Sequence, residues 1–131
     1  MSVSVWVDGW QLQCCGRPFG VGEEVTWRCA DPDLRWLESV LPRDVAHRIS
    51  YAEEHHDEAL VDRAVLRGTV VAIHAAFARY TRLDADDRTL HAVSGSGLLR
   101  AVRRADGNEG GETDARFNGY VVEVDVLPAP A

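Results

Sequence analysis

The sequence contains no lysine: its 14 basic residues are all arginine, set against 21 aspartates and glutamates, for a formal net charge of −7. An acidic surface repels a phosphate backbone, so a broad nucleic-acid-binding face is excluded and nucleic acid is not an expected partner. The arginine-only usage, together with abundant Ala, Val, Gly and Asp, fits a GC-rich genome and speaks of the source rather than the activity. Long apolar runs are missing too. None approaches the roughly 18–20 residues that a membrane-spanning helix needs, and residues 1–8 hold no basic segment ahead of an apolar one. A soluble, cytoplasmic protein with no membrane partner is expected. Cysteine is scarce: three in 131 residues, two of them adjacent, are too few and of the wrong parity for a disulfide framework. In a reducing cytoplasm Cys14 and Cys15 are expected as thiols, because a bridge between neighbours lacks the usual Cα separation.

What is present is ordinary globular composition, with 46% hydrophobic and 27% charged residues. A chain of this size buries roughly 65–70% of its unfolded surface and can form a core without staples. No repeat or linker divides it, so residues 1–127 are expected as a single globular domain and 128–131 as a frayed tail. Residues 2–7 alternate, with Val3, Val5 and Val7 on one face of a strand and Trp6 on the other. Asp8-Gly9 signals a turn, residues 16–22 a loop, and Val25, Trp27 and Cys29 a second strand. Asp31 capping Pro32 predicts a helix over 32–41, with Leu34, Leu37, Val40 and Leu41 as its stripe and Pro42 as its stop.

Val45, His47, Ile49 and Tyr51 alternate and predict a further strand. Ser50 and Glu53 have capping-box spacing, and Leu60, Val61, Ala64 and Val65 form a stripe ending at Gly68. A helix over 51–67 is therefore expected, with a solvated acidic loop as the alternative. The C-terminal half predicts a long bent strand over 68–80, short strands at 89–93 and 98–104, and a last strand at 117–127. The fold class that follows is mainly β with one or two short helices. Antiparallel strands must hide their edges, so a small antiparallel barrel or strongly curved sheet is expected, SH3-like in preference to OB-like.

The stretch Val5-Trp6-Val7-Asp8-Gly9-Trp10-Gln11-Leu12-Gln13-Cys14-Cys15-Gly16-Arg17-Pro18-Phe19 resembles the start of a family of small actinobacterial proteins without an established activity. The segment Tyr51-Ala52-Glu53-Glu54-His55-His56 is similar to a second part of it, and the two cover about a sixth of the chain. The resemblance implies actinobacterial provenance and a compact domain, and carries no reaction or ligand.

Three constellations hold chemistry. Cys14, Cys15, His55 and His56 are the ligand types that zinc prefers, with Cys29 as a further candidate. Adjacent residues of a strand point to opposite faces, so only a tight turn would bring both thiols to one ion. The same residues could form a cysteine nucleophile with an imidazole base, yet no local signature of a catalytic cysteine is present. Third, Trp6, Trp10 and Phe19 beside Arg17 form an aromatic surface of the kind that anchors recognition.

Other features have plain readings. The Ser94-Gly95-Ser96-Gly97 segment lacks the lysine and helix of a phosphate loop and reads as a turn. Asp84, Asp86 and Asp87 read as a solvated turn rather than a calcium loop. Arg100, Arg103 and Arg104 read as solvated charges facing Asp106, Glu109 and Glu112. The expected function is a non-enzymatic binding module that takes a protein or small molecule through Trp6, Trp10, Arg17 and Phe19. The alternative is a zinc-binding or cysteine-dependent enzyme. No other cofactor is expected. A monomer or a weak homodimer, paired through the edge of the last strand, completes the expectation.

Overall fold

The computed structural model describes residues 1–54, 64–111 and 114–127. The elements run β1 (Ser2–Asp8), α1 (Gly9–Cys14), β2 (Phe19–Gly20), β3 (Glu24–Ala30), α2 (Leu34–Val40), α3 (Arg43–Ala46) and β4 (Ile49–Glu53). They continue with β5 (Ala64–Ala78), β6 (Tyr80–Thr81), β7 (His91–Ala92), β8 (Leu98–Val102), β9 (Arg104–Ala105) and β10 (Arg116–Val126).

Five strands close into a barrel in the order β10-β1-β4-β3-β5, with β5 returning to β10. The mainly β barrel expectation therefore holds. One detail departs from it: β1 and β4 run parallel, while the other pairs are antiparallel. A parallel neighbour needs a crossover rather than a hairpin, and β3 with α2 and α3 occupies the chain between β1 and β4. The 15-residue β5 makes closure work. One of its edges follows β10, and the other is shared between β3 over 64–69 and β8 over 73–77. Register shifts at Phe117/Gly119 and Glu123/Val124 bend the β5–β10 ribbon, as bulges do in tightly curved sheets.

Alternation along the strands builds two cores. Val5, Val7, Ile73, Phe77, Tyr120 and Val122 point into the barrel. Trp6, Ala76, Ala78 and Val121 point outward, where Leu37 and Val40 of α2, Leu41, and Ala46 of α3 cover them. The expectation that Trp6 opposes Val5 and Val7 holds, but its face is buried as well, leaving Trp6 3% exposed. Inside the barrel, the Tyr120 hydroxyl accepts a hydrogen bond from the Gly107 amide at 3.0 Å and donates to Glu109 at 3.1 Å. Arg100 closes that network with an ion pair to Glu109 at 3.1 Å while stacking over Phe77.

Several expected boundaries move. The cap of α2 is Asp33, whose carboxylate accepts from the Trp36 amide at 3.2 Å, so the helix starts two residues after Pro32. The strand expected from Val45 onward is instead α3 followed by β4, because Val45 and Ala46 turn into the outer core and only Ile49 onward joins the barrel. The helix expected over 51–67 is contradicted at both ends. Ala52 and Glu53 pair with Ala30 and Cys29, and residues 64–67 pair with β3, while 55–63 lie outside the described residues. Residues 89–93 shrink to β7, and 98–104 break at Arg103 into β8 and β9. The last strand offers no edge to a second copy, since β10 is laddered by β1 on one side and β5 on the other.

Gly119 shows how tight this closure is. A Cβ there would lie 2.4 Å from the Val7 carbonyl oxygen and 2.7 Å from Cζ2 of Trp6. Gly119→Ala is expected to lower stability by about 1–3 kcal/mol through overpacking, whereas Gly110→Ala, which meets open space, stays near the parent. Urea denaturation of the two variants checks this.

Candidate functional site

Strand β1 is the partition between two cavities. Successive side chains of a strand point to opposite faces, so Val7 lines one cavity while Trp6 and Asp8 line the other.

The first is the mouth of the barrel, a cavity of about 540 Å³. Its floor is largely apolar, built from Val7, Leu12, Phe19 and Val25, with the buried Glu53 also in the lining. Its rim carries Cys15, Arg17, Glu23, Glu24 and Trp27. Phe19 is buried and packs edge-on against Trp27 with ring centroids 5.0 Å apart. Gly9–Cys14, for which the sequence predicts no element beyond the turn at Asp8-Gly9, form α1 directly after β1, and the chain from Cys15 to Pro18 then runs along the barrel mouth.

The second cavity, of about 450 Å³, lies outside the barrel wall, where α1 and α2 meet the ends of β1 and β4. Three indoles line it: Trp6 from β1, Trp10 from α1 and Trp36 from α2. Trp6 and Trp36 meet edge to face at 5.5 Å, a favoured aromatic arrangement. Trp6 is fixed further by donating its Nε1–H to Oδ1 of Asp8 at 3.1 Å. Burial falls off outward, from Trp6 at 3% to Trp36 at 37% and Trp10 at 61% exposed. A smaller recess of about 270 Å³ shares Asp8, Trp10 and Trp36 and extends toward Phe117 and Asn118.

Among the described residues, the charged groups lining this second cavity are all acidic. Asp8, Asp31, Asp33 and Glu54 line it, and no arginine or histidine among the described residues does. Gln11 reaches both Asp8 and Glu54 through Nε2, at 3.4 Å each. Burial raises the Asp8 carboxyl above its ordinary range and the charge of Glu54 adds to this, while the Trp6 hydrogen bond works the other way.

The expected aromatic surface is therefore divided: Trp6 and Trp10 share one cavity, and Arg17 and Phe19 share the other. Trp36, Asp31, Asp33 and Glu54 complete the second cavity and were not among the expected site residues. One signal for Trp36 was available, because it lies next to the buried Leu37 on a short helix and so at the margin of its apolar stripe.

Cys14 and Cys15 are exposed at the end of α1, and their sulfurs are joined as a disulfide rather than standing as the expected thiols. The end of α1, not a strand, carries them, so the opposite-face argument does not apply there. Cys29 is remote in character: it is buried in the barrel core. Burial, then the charge of Glu53, pushes its thiol up to about 12. His55 and His56 lie outside the described residues. Among the described residues no group of three or more His, Cys, Asp or Glu is placed to hold a metal ion.

The remaining polar segments are structural. Ser96 accepts from the Arg79 amide at 2.9 Å and donates to the Val93 carbonyl at 2.6 Å, which makes residues 94–97 a turn. Asp84 and Asp87 accept backbone amides of Asp86 and Thr89 within their own turn. Arg104 pairs with Glu23 at 3.1 Å.

Labelling chemistry tests the cysteine assignment. In folded protein prepared without reductant, a thiol reagent at about pH 8 should modify none of the three cysteines, since free thiols ordinarily ionise near 8.5 and Cys29 is buried and held protonated. Reduction should expose two sites, and unfolding with reduction three, each counted by intact mass.

Among the described residues no helix is long and apolar enough to cross a membrane. No curated protein and no solved structure matches the chain. The match that exists covers residues 1–126, and by it the chain belongs to DUF6578, a family of unknown function.

Proposed function

We propose that the protein is a non-enzymatic binding module whose ligand sits between Trp6, Trp10 and Trp36. One observation carries the reading: three indoles from three separate elements converge on a single cavity, with the deepest of them locked by packing and by its bond to Asp8. A cavity of about 450 Å³ is within the usual range for small ligands. Its three indoles stand on a strand and two helices, which preorganises the aromatic wall. The barrel mouth with Arg17 and Phe19 is the second concave surface, and its mixed charges make it the less selective of the two.

Strand order supports an OB-like over an SH3-like barrel. Five strands closing with one parallel pair, β1 with β4, match an OB barrel whose chain opens at its third strand, whereas SH3-like barrels use antiparallel neighbours. Fold assigns no function, and the acidic Trp6 cavity argues against the oligonucleotides that OB barrels often take. A single domain over 1–127, cytoplasmic residence and an actinobacterial source fit the composition and the N-terminal motif. With β10 laddered on both sides, a monomer is favoured over the weak dimer.

A fragment library screened by ligand-observed NMR tests this reading. Hits should lose affinity in Trp10→Ala and Trp36→Ala, by roughly thirtyfold if each indole contributes the ~2 kcal/mol of an aromatic anchor, and should be unchanged in Arg17→Ala. Both tryptophans are partly exposed, so the variants are expected to fold. Hits that follow Arg17→Ala instead, or no hits at all, would overturn it.

A further inference from the structure

We propose that Cys14 and Cys15 form a site of reversible thiol–disulfide exchange, reduced by low-molecular-weight thiols, whose oxidation state reshapes the mouth of the barrel. Both residues are exposed and their sulfurs are joined. Cys15 lines the barrel mouth together with Gly16 and Pro18, and it takes no part in the lining of the tryptophan cavity.

The bridge carries no structural load. A disulfide stabilises chiefly by closing a loop, and more so the longer the loop, whereas two sequence neighbours close the shortest loop there is. This one joins the last residue of α1 to that helix's own cap and ties no two elements together. Other contacts hold α1 in place. Leu12 packs into the barrel core, the Cys15 and Gly16 amides both donate to the Gln11 carbonyl at 2.9 and 3.1 Å, and Gln13 donates through Nε2 to Asn108 at 2.8 Å. Structural disulfides resist reduction by the glutathione pool, and exposed ones are those that exchange.

Exchange starts when a thiolate attacks one sulfur of the pair. A bond forms between the two, the Cys14–Cys15 bond breaks, and its electron pair stays on the other sulfur, which takes a proton. A second small thiol then attacks the mixed disulfide, releasing the protein as a dithiol and the small molecule as its own disulfide. Two small thiols are oxidised as one protein disulfide is reduced, and an excess of the small disulfide drives the reverse. Cys29 stays out of this chemistry. It is buried in the barrel core, and burial, then the charge of Glu53, pushes its thiol up to about 12, so the folded chain offers the pair no competing thiolate.

The pair acts on the cavity through Cys15. While the bridge stands, the Cys15 sulfur is tied to its neighbour. Once it is reduced, the side chain is free to turn among its rotamers, and the segment 15–18 that walls the mouth loses a covalent constraint. Phe19 and Trp27 share that lining and report the change.

The experiment equilibrates the full chain, without oxygen, in mixtures of glutathione and glutathione disulfide, starting once from oxidised and once from reduced protein. Alkylation and intact mass count the thiols, while nitrogen–proton NMR spectra follow the Trp27 indole and the Phe19 amide against the Trp36 indole of the other cavity. The two starting points are expected to converge, with most chains carrying two thiols in millimolar glutathione and none in excess glutathione disulfide. The Trp27 and Phe19 signals should move with the thiol count and the Trp36 signal should not. Reduction should leave the urea midpoint unchanged, and the double variant Cys14→Ser, Cys15→Ser should fold and show no response to glutathione.

A pair that resists glutathione, or a urea midpoint that falls on reduction, would make the bridge a structural staple and overturn the exchange site. A pair that stays reduced in excess glutathione disulfide would overturn it as well. Exchange with Trp27 and Phe19 unmoved would overturn the coupling to the barrel mouth.

Discussion

The ladders of β10 with β1 on one side and β5 on the other close the sheet, and closure gives each of these strands an inside and an outside. In an open sheet the outer face of β1 would meet water. Here it is roofed by α2 and α3, so Trp6 is as much a core residue as Val5 and Val7 while belonging to a different core. The geometry leaves little slack: Gly119 must lack a side chain for the Trp6 ring and the Val7 carbonyl to lie where they do. Two cores separated by one layer of backbone are also what make two cavities, because a wall with side chains on both faces can end in a mouth on each.

Electrostatics distinguishes those mouths. On the barrel side, Arg17 stands among glutamates over an apolar floor. On the helix side the tryptophans are surrounded by carboxylates, and one of them, Asp8, is both half-buried and tied to the deepest indole. Burying an acidic group beside another acid disfavours its charged form unless a partner offsets it. The bond from Trp6 Nε1 and the bridging amide of Gln11 offset part of that, and they hold Asp8 and Trp6 in one orientation. The polar contacts that make the acid tolerable also fix the aromatic wall.

Much of the architecture could be read from alternation. The strands at β1, β3, β5 and β10 follow from it because a period of two persists wherever a strand has one face in a core. It misled at 45–51, where a short helical turn and a strand in succession happen to place apolar residues at every second position. It also missed α1: alternation assigns no element to Trp10 and Leu12, whereas six residues of helix follow β1 without a loop. Short elements carry too few residues for their period to declare itself, and their form is decided by what they pack against.

The site divides in the same way. Trp6, Trp10, Arg17 and Phe19 stood out as recognition chemistry by residue type alone, and all four do line cavities. Sequence determined by itself that the chain is acidic, rich in tryptophan and built from alternating strands, because composition and local period are properties of the chain. Only the tertiary structure decided that Trp36, Asp31, Asp33 and Glu54 join Trp6 and Trp10 while Arg17 and Phe19 go elsewhere. Which face of β1 a distant residue meets is set by barrel closure and by the docking of α2, and no spacing along the chain encodes that directly.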